Sequence, residues 1–304
     1  MTTARTLLIT GATGFLGSHL VRKFLNDGWD VAILKRPASN LNRIADVLDR
    51  LHVFDVDSLN EPFVTLGHVD AVIHTATNYG QYGEPTSSIF EANTAFPLRL
   101  LEALTRHGTG AVINTDTVLD PMLNAYALSK HQFKQWGQQF ARDGRCRFVN
   151  LRLEHMYGAG DDPTKFTTRV IRACLDNEPQ LKLTPGEQKR DFIHIDDAVD
   201  AYATVIDRLL ELASGFNEFD VGSGRAVTIR EFVETVRCLT DATTQLEFGA
   251  LPYRLNEPMF SQANTTHLAA LGWTNRYDLA AGLAQTIESE RSPAARINKN
   301  KGYA

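Results

Sequence analysis

The tract "NTDTVLDPMLNAYALSK", residues 114–130, carries three groups able to handle a proton: the Thr115 hydroxyl, the Tyr126 phenol and the Lys130 ammonium. A phenol ionises near pH 10, so it works at neutral pH only with a cation beside it. Helical spacing can supply one, because residues four apart share a face and Lys130 follows Tyr126 by four. Thr115 closes the apolar run "AVINT", which reads as a buried strand. A strand tip and a helix start would then bring hydroxyl, phenol and ammonium together. YxxxK alone is a weak signal, since two polar residues at that spacing are more often a solvated helix face.

The elements that must position this trio are legible in the first half of the chain. "TLLITGA", "DVAILKR", "LHVFDVD", "DAVIHTA", "GAVINTD" and "RFVNLRL" each read as a short buried strand. Amphipathic stretches lie between them, among them "GSHLVRKFLNDG" and "FEANTAFPLRLLEALTRHG", which end at the cap candidates Gly28 and Gly108. Strands buried on both faces and alternating with helices imply an α/β fold with a doubly wound parallel sheet. After residue 158 the pattern loosens. "PTKFTTRVIRACLDN" and "TIREFVETVRCLT" are helix candidates and "GFNEFDVG" a strand, giving a smaller mixed C-terminal region expected over the sheet's carboxyl edge, where such folds bind ligands.

Composition narrows the function classes. The 304 residues hold 43% hydrophobic side chains and a net charge of -5, which argues against a nucleic-acid or membrane surface. Cys146, Cys174 and Cys238 are widely spaced, without a CxxC or His-rich pattern, so no metal is expected and buried free thiols in a reducing compartment are. The first apolar run, "LLI", is too short for a signal segment or a membrane span, and a cytoplasmic location is expected.

"LLITGATGFLGSHL" places Gly11, Gly14 and Gly17 between the first strand and the first helix, with Thr13, Phe15 and Leu16 in the same turn. Absent side chains let a pyrophosphate approach a helix N-terminus, where free N–H groups and the dipole favour an anion. Where an NAD site usually has an acid at the end of the second strand, this chain has Lys35 and Arg36. Neither accepts a hydrogen bond from a ribose diol, and both attract a 2′-phosphate, so NADP(H) is the expected cofactor. The alternative is a solvated pair of loop charges. Asp55 and Val56 end the third strand, where adenine would lie. Thr75, Ala76 and Thr77 of "HTAT" end the fourth, beside the expected ribose and nicotinamide.

With the glycine loop, "HTAT", Asn93, Thr115 and the Tyr126–Lys130 pair, the chain resembles an extended short-chain dehydrogenase/reductase of the NAD-dependent epimerase/dehydratase family. Its best-known members modify nucleotide sugars. The resemblance covers roughly residues 5–290 and extends to "LRLEHMYG", "GEQKRDFIHIDD" and "LGW". Within the family, "NTD", "RLEHMYGAGD", "GEQKRDFIHIDDAVDAY", "EFGA" and "MFSQAN" are most similar to the CDP-abequose synthase-like 4-ketoreductases. The resemblance implies that Tyr126 is the general acid, that Lys130 holds the nicotinamide ribose and stabilises the phenolate, and that Thr115 bonds the same substrate oxygen. It also implies that Asn93 belongs to the cofactor side.

It further implies a substrate site for a nucleotide-diphosphate sugar. Arg190 and Arg254 match diphosphate arginines, Glu257 a ribose contact, and Lys165 and Phe166 the start of the helix over the nucleotide. His155 stands where many relatives have asparagine, and Thr117 faces the sugar. Plain alternatives are an Arg190–Asp191 pair and a core His155. Met156 and Phe192 are expected in the core. Two departures matter. Related 4,6-dehydratases have two acids after the threonine, whereas this chain has Asp116 and Thr117; the usual "VYG" is "VLD", so a substrate-facing tyrosine is missing.

Three readings follow. The first is NADPH-dependent reduction of the 4-keto group of a CDP- or dTDP-linked deoxyhexose, in deoxysugar and lipopolysaccharide-type polysaccharide synthesis. The second is a nucleotide-sugar 4-epimerase with retained cofactor. The third is a non-catalytic NADP-binding regulator, which typically loses the tyrosine or lysine. The expected division is a NADP-binding domain over 1–160 with returning segments near 190–222, a substrate region over 161–189 and 223–290, and a tail over 291–304. A homodimer pairing through the helices at 91–105 and 126–141 is expected from dimeric relatives.

Overall fold

The structure, a computed structural model, describes residues 5–291. The tail expected beyond that point lies outside the described residues. The chain forms two compact units: residues up to Leu153 with Val199–Asp220 and Ala270–Gly272, and Glu154–Ala198 with Val221–Ala269 and residues from Trp273 on.

In the first unit, β1 (Thr6–Thr10), β2 (Asp30–Lys35), β3 (Leu51–Asp55), β4 (Ala71–His74), β5 (Ala111–Thr117) and β6 (Arg147–Leu153) pair in parallel in the order β6-β5-β4-β1-β2-β3. Every residue of β1 and β4 is buried, as their unbroken apolar runs require of strands covered on both faces. The second unit holds β7 (His155–Tyr157), β8 (Gln180–Leu183) and β9 (Lys189–His194); β10 (Phe216–Val221) then joins the large sheet beside β6 as its seventh strand.

Helices α1 (Phe15–Asn26), α2 (Glu61–Leu66), α3 (Thr86–Phe90), α4 (Phe96–Arg106) and α5 (Ala125–Arg142) connect the first strands. Gly28 and Gly108 follow α1 and α4 with φ of 81° and 76°, the left-handed geometry that ends a helix cheaply with glycine. The single helix expected over 90–108 is interrupted. A π-turn at Glu91–Ala95 joins α3 to α4, where Pro97 has no N–H to continue the regular ladder. The core includes Leu8, Val72, Val112, Leu101, Phe133 and Phe148.

In the second unit, β7 pairs in parallel with β9, β9 antiparallel with β11 (Ala226–Thr228), and β8 in parallel with β12 (Gln245–Phe248). Its core gathers Tyr157, Ile171, Phe192, Phe232 and Leu283 with residues of α6 (Phe166–Leu175) and α8 (Ile229–Thr240). Phe192 is therefore core, whereas Met156 is half-buried. "RDFIHIDD" crosses from β9 into α7 (Ile195–Asp207). Its Asp191 is fully buried and accepts from the Ser223 hydroxyl and from the backbone N–H groups of Ser223, Gly224 and Ala263. Asp197 accepts the backbone N–H groups of Arg276 and Tyr277. These two acids tie loops in place. Cys146 and Cys174 are buried free thiols, but Cys238 is exposed, contrary to the sequence expectation. It falls off the α8 stripe of Phe232, Val233, Val236 and Thr240, which helical periodicity turns inward. After α9 (Thr266–Ala270) the described chain ends in α10 (Leu279–Arg291). Among the described residues no helix is long and apolar enough to cross a membrane.

Candidate active site

Two elements of the first unit, β5 and α5, carry the proton-handling groups. Along β5, alternation sends Asn114 and Asp116 to one face and Thr115 and Thr117 to the other. Asn114 donates to Asn150 at 2.7 Å, and Asn150 donates to Asp116 at 2.8 Å, so Asp116 is held within a buried polar ladder. Thr115 and Thr117 remain half-buried. Asn124 caps α5 by accepting the Ala127 N–H at 2.9 Å, which starts the helix just ahead of Tyr126. Tyr126 thus lies in the first turn, where the helix dipole favours negative charge, and Lys130 lies one turn on.

Burial raises the Tyr126 pKa well above its usual value; Tyr79 and Asp116 add to this, the Thr117 hydroxyl opposes it, and Tyr202 adds a smaller increment. The ligand-free phenol is therefore protonated at neutral pH. Lys130 is 1% exposed, and burial brings its pKa down to about 8 against the pull of Asp116. Nearby His74 is buried and pairs through Nδ1 with the Thr10 hydroxyl at 2.7 Å. Burial, then Lys130, pushes its pKa well down, so this imidazole is neutral.

Two neighbours were not read as site residues from the sequence. Tyr79 packs its ring against Tyr126 with centroids 5.0 Å apart. Tyr202, on α7, places its hydroxyl 2.6 Å from Thr115 Oγ1. Tyr202 and Thr115 are 87 positions apart, and no local pattern links them. Tyr79 lies two residues past the end of "HTAT", which is the available signal.

Asn93 sits in the π-turn and is fully buried. Its carbonyl oxygen accepts from Thr77 Oγ1 and the Asn78 N–H, and its amide donates to the Asn78 carbonyl and to Ser129 Oγ. That uses the full capacity of the amide, leaving its side chain no spare group for a ligand. Asn93 instead ties the loop after β4, and with it Tyr79, to α5.

The glycine loop fits a dinucleotide. A Cβ on Gly11 would lie 2.5 Å from the Ala76 N, and one on Gly17 2.1 Å from the Gly11 carbonyl oxygen, so neither position tolerates a side chain. Gly14 is the N-cap of α1, with no side-chain cap and no acid in the first turn. The helix N-terminus keeps its donors for an anion. Thr13 is half-buried beside it; Phe15 and Leu16 are buried and hold α1 against the sheet. Thr75 donates to the Thr10 carbonyl at 2.7 Å, and the Ala76 N–H reaches the Thr10 hydroxyl at 3.4 Å. Lys35 ends β2 half-buried and Arg36 follows exposed; Asp55 ends β3 in register with Lys35 and Val56 follows it, both half-buried. Among the described residues, the hydrogen bond of Lys35 Nζ is to the backbone carbonyl of Arg36, at 3.4 Å.

The residues expected to hold the nucleotide sugar lie in the second unit. Arg190 pairs with Glu257 at 2.6 Å rather than with Asp191. His155 is one-third exposed, with Nδ1 3.4 Å from the buried Glu154 carboxylate and its ring edge-on to Phe192. Ser261 donates to the same carboxylate at 2.6 Å. Lys165 caps α6 and pairs with Asp161 at 3.1 Å; Phe166, next in sequence, is 40% exposed. Arg254 is exposed.

Residues 7–222 match the family described as NAD dependent epimerase/dehydratase. The chain is 32% identical to a CDP-abequose synthase of Salmonella typhimurium, over 93% of this chain and 97% of that one. It is 26% identical to a UDP-glucose 4-epimerase of Mycolicibacterium smegmatis, over 94% and 98%. A solved structure of MoeE5 in complex with UDP-glucuronic acid and NAD superposes with a TM-score of 0.79 at 26% identity, covering 94% of this chain and 99% of that one.

Proposed function

The chain belongs to the NAD-dependent epimerase/dehydratase family, and we propose that within it this protein is an NADPH-dependent 4-ketoreductase of a nucleotide-linked deoxyhexose. The observation that carries this is the end of β2: Lys35 and Arg36 stand where an NAD site usually has an acid, which suits NADPH and net reduction. The Tyr126–Lys130 pair serves a reductase and an epimerase alike. The similarity to CDP-abequose synthase over nearly the whole chain supports a CDP- or dTDP-linked 4-keto-6-deoxy or 3,6-dideoxy sugar.

NADPH, when bound, supplies the hydride. Thr115 and Tyr126 hold the keto oxygen by hydrogen bonds and draw electron density from the carbon. As that oxygen becomes an alkoxide, Tyr126 passes it the phenolic proton, leaving a 4-hydroxyl. Lys130 and the α5 N-terminus stabilise the phenolate until it is reprotonated. Lys130 would also bond the nicotinamide ribose, Lys35 and Arg36 would hold the 2′-phosphate, and the uncapped start of α1 would hold the pyrophosphate. Arg190, Arg254 and Lys165 take the diphosphate, with His155, Phe166, Glu257 and Thr117 contacting the rest of the nucleotide sugar. The protein works in the cytoplasm on precursors of deoxysugar-containing polysaccharide, as a homodimer. Leu128 and Trp136 on α5 and Phe90 on α3 are exposed apolar side chains suited to that pairing.

The second reading, a 4-epimerase, draws on the similarity to UDP-glucose 4-epimerase. One experiment separates the two. Nucleotide sugars and their 4-keto derivatives are supplied with NADPH, absorbance at 340 nm is followed, and products are identified by NMR. Stoichiometric NADPH consumption with a 4-keto deoxyhexose supports the reductase. Interconversion of 4-hydroxy epimers without net cofactor use overturns it.

A further inference from the structure

The buried phenol of Tyr202 has no place in the chemistry above, although it touches Thr115. Tyr202 is fully buried, and its hydroxyl is 2.6 Å from Thr115 Oγ1. Among the described residues this is the hydrogen bond its hydroxyl makes. The donor follows from satisfiability. A threonine hydroxyl has one proton to give and two lone pairs to receive with; a tyrosine hydroxyl likewise has one proton. If Thr115 donated, the Tyr202 proton would be buried without an acceptor, which is the costly arrangement. If Tyr202 donates, the fully buried phenol is satisfied, and the half-buried Thr115 keeps its own proton, which points away from Tyr202. Burial pushes the Tyr202 pKa above its usual value, with Asp116 and Tyr79 adding to it and the Thr115 bond opposing, so the donor persists across the physiological range.

We propose that Tyr202 is a positioning residue for catalysis: it donates to Thr115 Oγ1 and so aims the Thr115 proton at the substrate oxygen. This rests on the reading that Thr115 binds the keto oxygen. Without Tyr202, the Thr115 hydroxyl could rotate its proton into other acceptors. With it, the two bonds run in series, so each polarises the other as charge grows on the oxygen. Tyr202 exchanges no proton with substrate.

The test is a double-mutant cycle on Thr115→Val and Tyr202→Phe, reading kcat, KM, NADPH affinity and Tm. Wild-type protein and Thr115→Val are assayed first. If the wild type reduces no nucleotide-linked 4-keto sugar, or if Thr115→Val is unimpaired, the functional reading has failed before Tyr202 is touched, and the role given to Tyr202 falls with it. Otherwise Tyr202→Phe should lower kcat about five- to tenfold, the worth of one neutral hydrogen bond, with KM and NADPH affinity within about twofold. In the Thr115→Val background the same change should cost nothing further in kcat. Multiplicative losses, a faster Tyr202→Phe enzyme, or a fall in Tm with unchanged kcat would each overturn the proposal. Should Tyr202→Phe not fold, a ring-fluorinated tyrosine at 202 keeps the shape and strengthens the donor; it must change kcat while leaving KM in place, and an unchanged kcat overturns the proposal.

Discussion

Replacing Lys130 by methionine should abolish turnover and yet make the ligand-free protein more stable at neutral pH. Lys130 is 1% exposed, and burial moves its ammonium from 10.5 to about 8. A displacement of that size corresponds to roughly 3 kcal/mol of unfavourable charge burial at neutral pH. Methionine fills a similar volume without charge. Asp116 loses an attractive neighbour in the exchange, so the expected net gain is smaller, about 1–3 kcal/mol. Each kcal/mol should appear as about 2–4 °C in Tm for a chain of this order of length. The pH dependence has a definite sign. The unfolded lysine ionises at 10.5 and the folded one at about 8. Between those values the unfolded chain binds the extra proton, so wild-type stability rises with pH across that window. The penalty is fully present below pH about 8 and is gone above the unfolded value. Lys130→Met has no such term. Its Tm advantage should be constant below pH about 8 and shrink steadily as the pH is raised towards 10. Differential scanning calorimetry of both proteins without cofactor measures this. A variant less stable than wild type at neutral pH, or an advantage that does not change with pH, would refute a buried, destabilising ammonium. In parallel, NADPH affinity and turnover should both fall, because the ribose contact and the phenolate's counter-charge leave together.

Tyr126→Phe should keep NADPH affinity, measured by fluorescence titration, while turnover drops about 10²–10⁴-fold, the usual worth of general acid catalysis; near-native turnover would remove the phenol from the mechanism. Replacing Lys35 and Arg36 together by alanine should cut the preference for NADPH over NADH at least about tenfold, since charge-assisted bonds contribute roughly 1.5–3 kcal/mol each; equal affinity of the native protein for both cofactors would favour the epimerase reading. Gly17→Ala should lower both Tm and cofactor affinity, because the new Cβ would sit 2.1 Å from the Gly11 carbonyl oxygen, a backbone atom that cannot step aside; wild-type calorimetric and binding curves would contradict that. Mass spectrometry should find no 4-keto-6-deoxy product from an unmodified nucleotide glucose. Thr117 offers a hydroxyl where an elimination base would stand, and Asp116 is held by Asn150 in the ladder on the other face of β5.

The sequence by itself determined the doubly wound sheet, because most of its strands are short, local apolar runs and helices such as α1 and α4 end at glycines, Gly28 and Gly108. It also placed Tyr126 and Lys130 on one face, since that is a matter of four residues along one helix. The loop glycines were legible for the same reason: their steric demand is set within a few residues. What only the tertiary structure decided involves partners far apart in the chain. The break in the helix near Asn93 is signalled by Pro97, yet the reward for it, four hydrogen bonds to residues 77, 78 and 129, exists only once the loop and α5 are packed together. Sequence reading offers only the adjacent Asp191 as a partner for Arg190; in the fold Arg190 pairs with Glu257, 67 positions away, while loop N–H groups take Asp191. The Thr115–Tyr202 bond joins β5 to a helix 87 positions away. Periodicity reports which way a side chain faces within its own element, and long-range pairing is set by packing, which no local pattern encodes.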